Sequence, residues 1–403
     1  MFTSTGRKME TNPFADRWLL DPEVIFLNHG SFGATPKTVL DEQTRIRNRI
    51  ESEPLLFFDH HYLDEVDRAR ADLARFIGAR TDDLAFVVNA TTGVNTVLRS
   101  LRLEPGDELL VSDHEYNACR NAIEAVAAAA GAEVVVVPIP FPLTGEDEVV
   151  DLVLARLSQK TRILLIDHVT SQTGLVLPIE RLVSNVQADG VDVLVDGAHA
   201  PGMVTLDLDS LGAAYYTGNC HKWLCAPKGA GFLHVRQDRR EGVRPLVISH
   251  GANASSTERS RFHLEHDWTG TRDPSAWLSV PAALREMESM VEGGWDEVRR
   301  RNRELVLEGR RVLCAALGIE MPCPESMIGS LASLPLPEGE GELVNELFPF
   351  DGLQVRLFQE YRIEVPVIAW PAPPRRLIRI SAQLYNSRPQ FVALAGALKT
   401  LLG

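Results

Sequence analysis

Six short apolar runs of strand length fall between residues 80 and 240: "LAFVV" (84–88), "ELLVS" (108–112), "EVVVVPI" (133–139), "RILLID" (162–167), "VDVLVD" (191–196) and "GFLHV" (231–235). Helix-like segments separate them at 92–103, 117–130, 148–158 and 178–188. Apolar runs without polar alternation belong to strands buried on both faces. Strand and helix taken in turn imply βαβ crossovers and a mainly parallel sheet. The pattern then changes. From Pro274 to about Leu317 the chain reads as long helices. Beyond it come shorter strand-like runs, "SLASLPL", "LQVRLFQEYRIEVPVIAW" and "LIRISAQLYN", closed by a helix at 388–402. An α/β fold is expected, with an N-terminal arm (1–20), a large domain (21–275) and a helical connector with a small α+β domain (276–403). The N-terminal segment is expected to pack with the small domain.

The 403 residues suffice for two domains, and a formal net charge of −14 disfavours nucleic-acid and anionic-membrane surfaces. No signal-peptide-like start and no membrane-spanning apolar run is visible. Five cysteines (Cys119, Cys220, Cys225, Cys314, Cys323) show no metal-type spacing, so reduced thiols, no bound metal and a cytoplasmic setting are expected.

In open α/β sheets ligands bind at the carboxyl ends of strands, so polar residues there matter most. Five stretches qualify. In "VVNATTGVNTVL" (87–98) a strand turns through Thr91 and Thr92 into a helix, which suits either an anion or a plain N-cap. Tyr116, in "LLVSDHEYNACRN", either stacks on a planar ligand or covers the sheet. "LIDHVTSQTG" (165–174) offers His168, Thr170, Ser171 and Gln172 to a ligand or to its own turn. In "VDVLVDGAHAPG", Asp196 ends an apolar strand. It needs a cationic partner, such as a protonated ring nitrogen, unless it makes a salt bridge or a cap; His199 follows three residues on. Finally "YYTGNCHKWLCAPKG" (215–229) sets Lys222 between His221 and Trp223, with Asn219 close by. A desolvated lysine has a lowered pKa and attacks carbonyls to form a Schiff base. An aldehyde on a pyridine ring that also carries a phosphate uses all five elements together, and that is pyridoxal 5′-phosphate.

The chain resembles fold-type I pyridoxal-phosphate enzymes of the class V aminotransferase group, and within it isopenicillin N epimerase-like proteins. The resemblance extends from "LNHGSFGATP" (27–36) to "RISAQLYN" (379–386), with "DHVTSQTGLVLPI", "VDGAHAPG" and "GNCHKWLCAPKG" its most specific pieces. It implies an aspartate-aminotransferase-like fold and a role for each matching residue. Thr91, Thr92, Asn219 and His221 would hold the phosphate, and Tyr116 would stack on the ring. Asp196 would pair with the ring nitrogen, Ser171 and His199 would lie near the ring hydroxyl, and Lys222 would form the internal aldimine. Gly270 and Thr271 in "HDWTGTRDP" match a segment that reaches the phosphate of the neighbouring subunit, implying a homodimer. Arg379 matches the arginine that clamps the substrate carboxylate, and Asn28, His29 and Ser31 would line the entrance.

The resemblance points to epimerisation or racemisation of an amino-acid substrate, with a C–S β-lyase acting on a cysteine conjugate as the rival and an aminotransferase as a third reading. Cysteine desulfurases of this class carry a reactive cysteine shortly before the carboxylate-binding arginine. "EVPVIAWPAPPRRLIRI" has none, which argues against persulfide chemistry. A degenerate, non-catalytic member would be expected to have lost Lys222 or Asp196, and both are present.

Overall fold

The computed structural model describes residues 12–256, 258–339, 343–344 and 350–403; the first eleven residues of the expected N-terminal arm lie outside these. Seven strands form the central sheet: β1 (Leu84–Val87), β2 (Glu108–Ser112), β3 (Glu133–Val137), β4 (Thr161–Asp167), β5 (Asp192–Gly197), β6 (Tyr215–Asn219) and β7 (Gly231–Val235). Their order is β1-β7-β6-β5-β4-β2-β3. Only β7 runs against its neighbours, so the other six strands deliver their carboxyl ends to one edge.

Alternate side chains explain why the strands are apolar throughout. Leu84, Phe86, Leu164, Ile166, Val193 and Val195 enter the core on one face. Ala85, Val87, Ile163, Leu165 and Leu194 enter a second core on the other. Helices α3 (Ala90–Leu98), α4 (Asn117–Ala130), α5 (Glu146–Leu154) and α6 (Ile179–Ala188) follow strands, preceded by α1 (Lys37–Ser52) and α2 (Tyr62–Ile77). The six expected strands lie where the apolar runs fall, within a few residues. β6 adds a seventh, built from the aromatic segment ahead of Lys222.

After α7 (Val280–Ser289) and the long α8 (Gly294–Leu317), a three-stranded antiparallel sheet forms from β8 (Leu331–Leu336), β9 (Val367–Ala369) and β10 (Arg376–Ser381), ordered β9-β10-β8. One expectation needs correction. Residues 352–361, read as strand, form helix α9 (Gly352–Tyr361), with the Asp351 carboxylate accepting from the Leu353 amide as its N-cap. Leu353 and Leu357 are buried at helical spacing, which a run of mixed apolar residues does not reveal by composition. Helix α10 (Arg388–Leu402) closes the chain, opened by a capping box of Ser387 and Gln390. The N-terminal stretch meets this end: Ile25–Phe26 pairs in parallel with Ile363–Glu364, and the Trp18 ring lies edge-on to Tyr385 at 5.1 Å.

Candidate active site

The loops after β1, β2, β4, β5 and β6 converge on one end of the sheet, where β10 meets it. Asp196, the penultimate residue of β5, is 2% exposed. One carboxylate oxygen accepts from the Ala198 amide at 2.9 Å and the other from the Cys119 thiol at 3.2 Å. Two further acids are buried beside it, Glu115 and Asp167. Both carboxylate oxygens of Glu115, and one of Asp167, have no hydrogen-bond partner. Burial first, and for Glu115 and Asp167 also repulsion from neighbouring carboxylates, pushes the acid pKa values upward. Such an acid cluster favours a cation at its mouth.

Lys222 follows β6. Its Nζ lies 3.0 Å from His199 Nε2, and His199 Nδ1 faces the Trp223 indole nitrogen at 3.4 Å. An indole N–H only donates, so Nδ1 accepts and the imidazole proton sits on Nε2. That proton faces Lys222, which accepts it in its neutral amine form. Desolvation, reinforced by the Arg379 guanidinium, likewise draws the lysine pKa down to about 8. Burial, with Lys222 adding to it, holds His199 well below its usual value.

At the start of α3 the cap is Asn89 and not a threonine. Its side-chain oxygen accepts from the Thr92 amide at 2.8 Å and the Thr92 hydroxyl at 3.0 Å. Asn219 accepts from the Ala90 amide at 2.8 Å, so it fixes the helix start. His221 Nδ1 donates to the Ala230 carbonyl at 2.9 Å, and burial lowers its pKa to about 4. Its Nε2 can therefore donate to a phosphate only once an anion has drawn a proton onto it.

Arg379 lies on β10 opposite Ser333 and is buried. Its guanidinium donates to the Ser171 carbonyl at 2.6 Å and the Ser31 hydroxyl at 2.8 Å, while its Nε has no partner. Burial lowers its pKa to about 10. Ser31 in turn donates to Asn28 at 2.6 Å. Together with Tyr116, these residues line a cavity of about 720 Å³. Tyr116 is half-exposed at the N-cap of α4, and burial of its phenol raises its pKa.

Five of the expected residues line this cavity; Lys222, Asp196, His199, Thr91, Thr92, Asn219 and His221 lie outside its lining, as do His29, Gly270 and Thr271. His29 is fully buried: one ring nitrogen meets the Tyr385 hydroxyl at 2.8 Å and the other accompanies the Lys222 carbonyl at 3.0 Å. It braces the lysine's backbone and does not line the entrance, because its ring is turned into the core. Gly270, at φ +113, and the exposed Thr271 form an outward loop that does not line the cavity of their own chain. Sequence reasoning did not single out Glu115, Asp167, Asn89 or Cys119 as parts of the site. An acid at or just beyond the ends of two neighbouring strands, in "DHEY" and "LLID", is the signal that could have found the first two.

The arrangement fits pyridoxal 5′-phosphate. The buried Asp196 carboxylate, with two more acids beside it, suits a protonated ring nitrogen, a lysine whose pKa is lowered suits an aldehyde, and a helix start with two threonines suits a phosphate. Comparison with known proteins agrees. The family profile described as Aminotransferase class-V matches residues 33–391. An isopenicillin N epimerase of Amycolatopsis lactamdurans is 39% identical, covering 95% of this chain and 96% of that protein. A probable chloroplastic L-cysteine desulfhydrase of Arabidopsis thaliana is 33% identical, over 95% and 84%. Among solved structures, the cysteine desulfurase CsdA from Escherichia coli superposes with a TM-score of 0.77 at 21% identity, covering 96% of this chain and 97% of that one.

Proposed function

Because the chain belongs to the class V aminotransferase family, we propose that it is a pyridoxal-phosphate enzyme that epimerises an amino-acid substrate at Cα. The observation that carries a Cα reaction is the buried Lys222 amine set 3.0 Å from His199 Nε2, in the same site as an Arg379 guanidinium whose Nε is buried and unpaired. Similarity to the isopenicillin N epimerase across nearly the whole length supports the epimerase reading over others.

When bound, the cofactor supplies an electron sink for the bond broken at Cα. The chain's own residues do the rest. Arg379 binds the substrate carboxylate through its free edge, with Ser31 and Ser171 fixing the guanidinium plane. Asp196, set by Ala198 and Cys119, would hold the positive ring nitrogen. Thr91, Thr92, Asn219 and His221 would hold the phosphate, and Tyr116 would lie against the ring. Lys222 removes the Cα proton on one side. We assign return of a proton to Tyr116, the phenol that lines the same cavity as Arg379. Gly270 and Thr271 act in the site of the partner subunit of a homodimer.

The rival is a C–S β-lyase, favoured by the similarity to the L-cysteine desulfhydrase. A persulfide relay lacks its thiol, since all five cysteines are buried and none lines the cavity. Proton NMR in D₂O of the chain loaded with pyridoxal phosphate, given L-amino acids and cysteine S-conjugates, separates the two. Deuterium at Cα with both stereoisomers and an intact skeleton is expected. Pyruvate, ammonia and a released thiol would instead establish the lyase. Lys222→Ala should cut either rate by about 10³-fold, the scale of a lost general base. Tyr116→Phe should keep exchange into the L form while suppressing the D form.

A further inference from the structure

The cavity beside Arg379 is far roomier than an α-carboxylate needs, and its chemistry is lopsided. Among the described residues its lining carries only two charged side chains, Arg379 and Glu364. Between them stands the Asn28 amide. Its oxygen faces the Arg379 guanidinium at 3.5 Å, and its nitrogen donates to Glu364 Oε1 at 3.1 Å. The amide thus points its dipole from a cationic end to an anionic end. The rest of the wall is uncharged: an apolar stretch of Val355, Phe358, Pro366, Val367 and Ile368, with Phe32 exposed at 68%, is interrupted by the amides of Gln172, Gln354 and Gln359. Glu364 and Phe32 continue into an adjoining cavity of about 380 Å³, where the next carboxylate is Asp21. Asp21 is paired with Arg362 at 3.3 Å, so no unpaired cation faces the substrate's far end among the described residues of either lining.

We propose that Glu364 and this apolar wall set the side-chain specificity: the site takes α-amino acids with long apolar side chains and rejects a distal carboxylate. This rests on the reading of Arg379 as the clamp of the α-carboxylate. With that end fixed, an extended side chain passes Phe358 and comes up against Glu364. There a second carboxylate meets a like charge in a partly desolvated setting, whereas a neutral or hydrogen-bond-donating end does not.

Three six-carbon or shorter ligands test it: L-norleucine, L-2-aminoadipate and L-alanine, each titrated into the pyridoxal-phosphate-loaded protein with affinity read from the cofactor absorbance. Norleucine should bind at least tenfold tighter than 2-aminoadipate. Glu364→Gln should bring that ratio near one by tightening 2-aminoadipate. Phe358→Ala should bring norleucine down towards alanine. Equal or tighter binding of 2-aminoadipate by the native chain overturns the proposal. So does a ratio unmoved by Glu364→Gln, or the absence of measurable norleucine binding. Failure of the epimerase reading shows separately, as products in the D₂O experiment, and leaves these affinity ratios standing.

Discussion

At the scale of single residues, the site turns on where one proton sits. Trp223 donates to His199, whose Nε2 faces Lys222 and favours the lysine's neutral amine. Only that form attacks the cofactor aldehyde. Its population rises with pH up to the lysine's pKa near 8 and then saturates. The rate of cofactor capture by the cofactor-free chain, followed by absorbance, should therefore climb about tenfold per pH unit below 8 and level off above it. An ordinary lysine would keep climbing to beyond pH 10. Trp223→Phe removes the indole donor and frees His199 to place its proton on Nδ1. The break in that profile should then move up by about one unit, near 1.4 kcal/mol of lost preference for the neutral amine. A purely structural loss would lower the amplitude and leave the break in place. Lys222 and Asp196 were legible because their residue types are costly at the end of apolar strands. The proton chain was not, since Trp223 is adjacent in sequence but reaches the lysine only through a histidine from the turn after β5.

At the scale of elements, the edge of the sheet presents its ligands only if α3 lies close against β6. Gly93 permits this: a Cβ there would stand 2.1 Å from the Thr217 hydroxyl. Thr217 cannot turn away freely, because its hydroxyl donates to the Phe232 carbonyl at 2.7 Å inside the sheet. Gly93→Ala should push α3 outward, carrying Thr91 and Thr92 with it. We expect a loss of about 1–3 kcal/mol from overpacking, read as a lower Tm. The cofactor should also bind more weakly, measured by equilibrium dialysis, and by a larger factor than stability alone would impose. The strands themselves were legible because runs such as "RILLID" are apolar on both faces, which leaves little choice but a buried sheet. The stretch "LQVRLFQEY" defeated the same reasoning. Its apolar residues satisfy both periods, and the deciding contact is the Asp351 cap. The helix it forms supplies Val355 and Phe358 to the cavity, so the misread element is also the one that shapes specificity.

At the scale of the whole molecule, the question is whether one chain suffices. Gly270 and Thr271 stand on an outward loop, with open space around the position a Cβ would take on Gly270, and they contribute nothing to their own chain's cavity. The loop is nonetheless well anchored. Arg272, next along it, stacks over the Trp277 ring at 3.9 Å, and Asp273 accepts from Arg47 at 3.0 Å and from the Ser275 amide at 2.8 Å. A held, projecting Gly-Thr turn is suited to reaching a phosphate in the partner subunit, and a site shared in that way predicts complementation. Thr271→Glu should disable the neighbouring site by setting a carboxylate against the phosphate, and Lys222→Ala disables its own. Each variant alone should be inactive. In a mixture of equal amounts after subunit exchange, half the dimers are hybrids. Every hybrid holds one site with a native Lys222 and a native Thr271 from opposite chains, so activity should return to about a quarter of the native value. If both residues served the same chain's site, no hybrid would contain an intact centre within a Lys222→Ala chain, but every Lys222-bearing chain would still carry its own defect, and the mixture would stay inactive. Activity in the mixture, measured against the two variants kept apart, therefore decides whether the catalytic unit is the chain or the dimer.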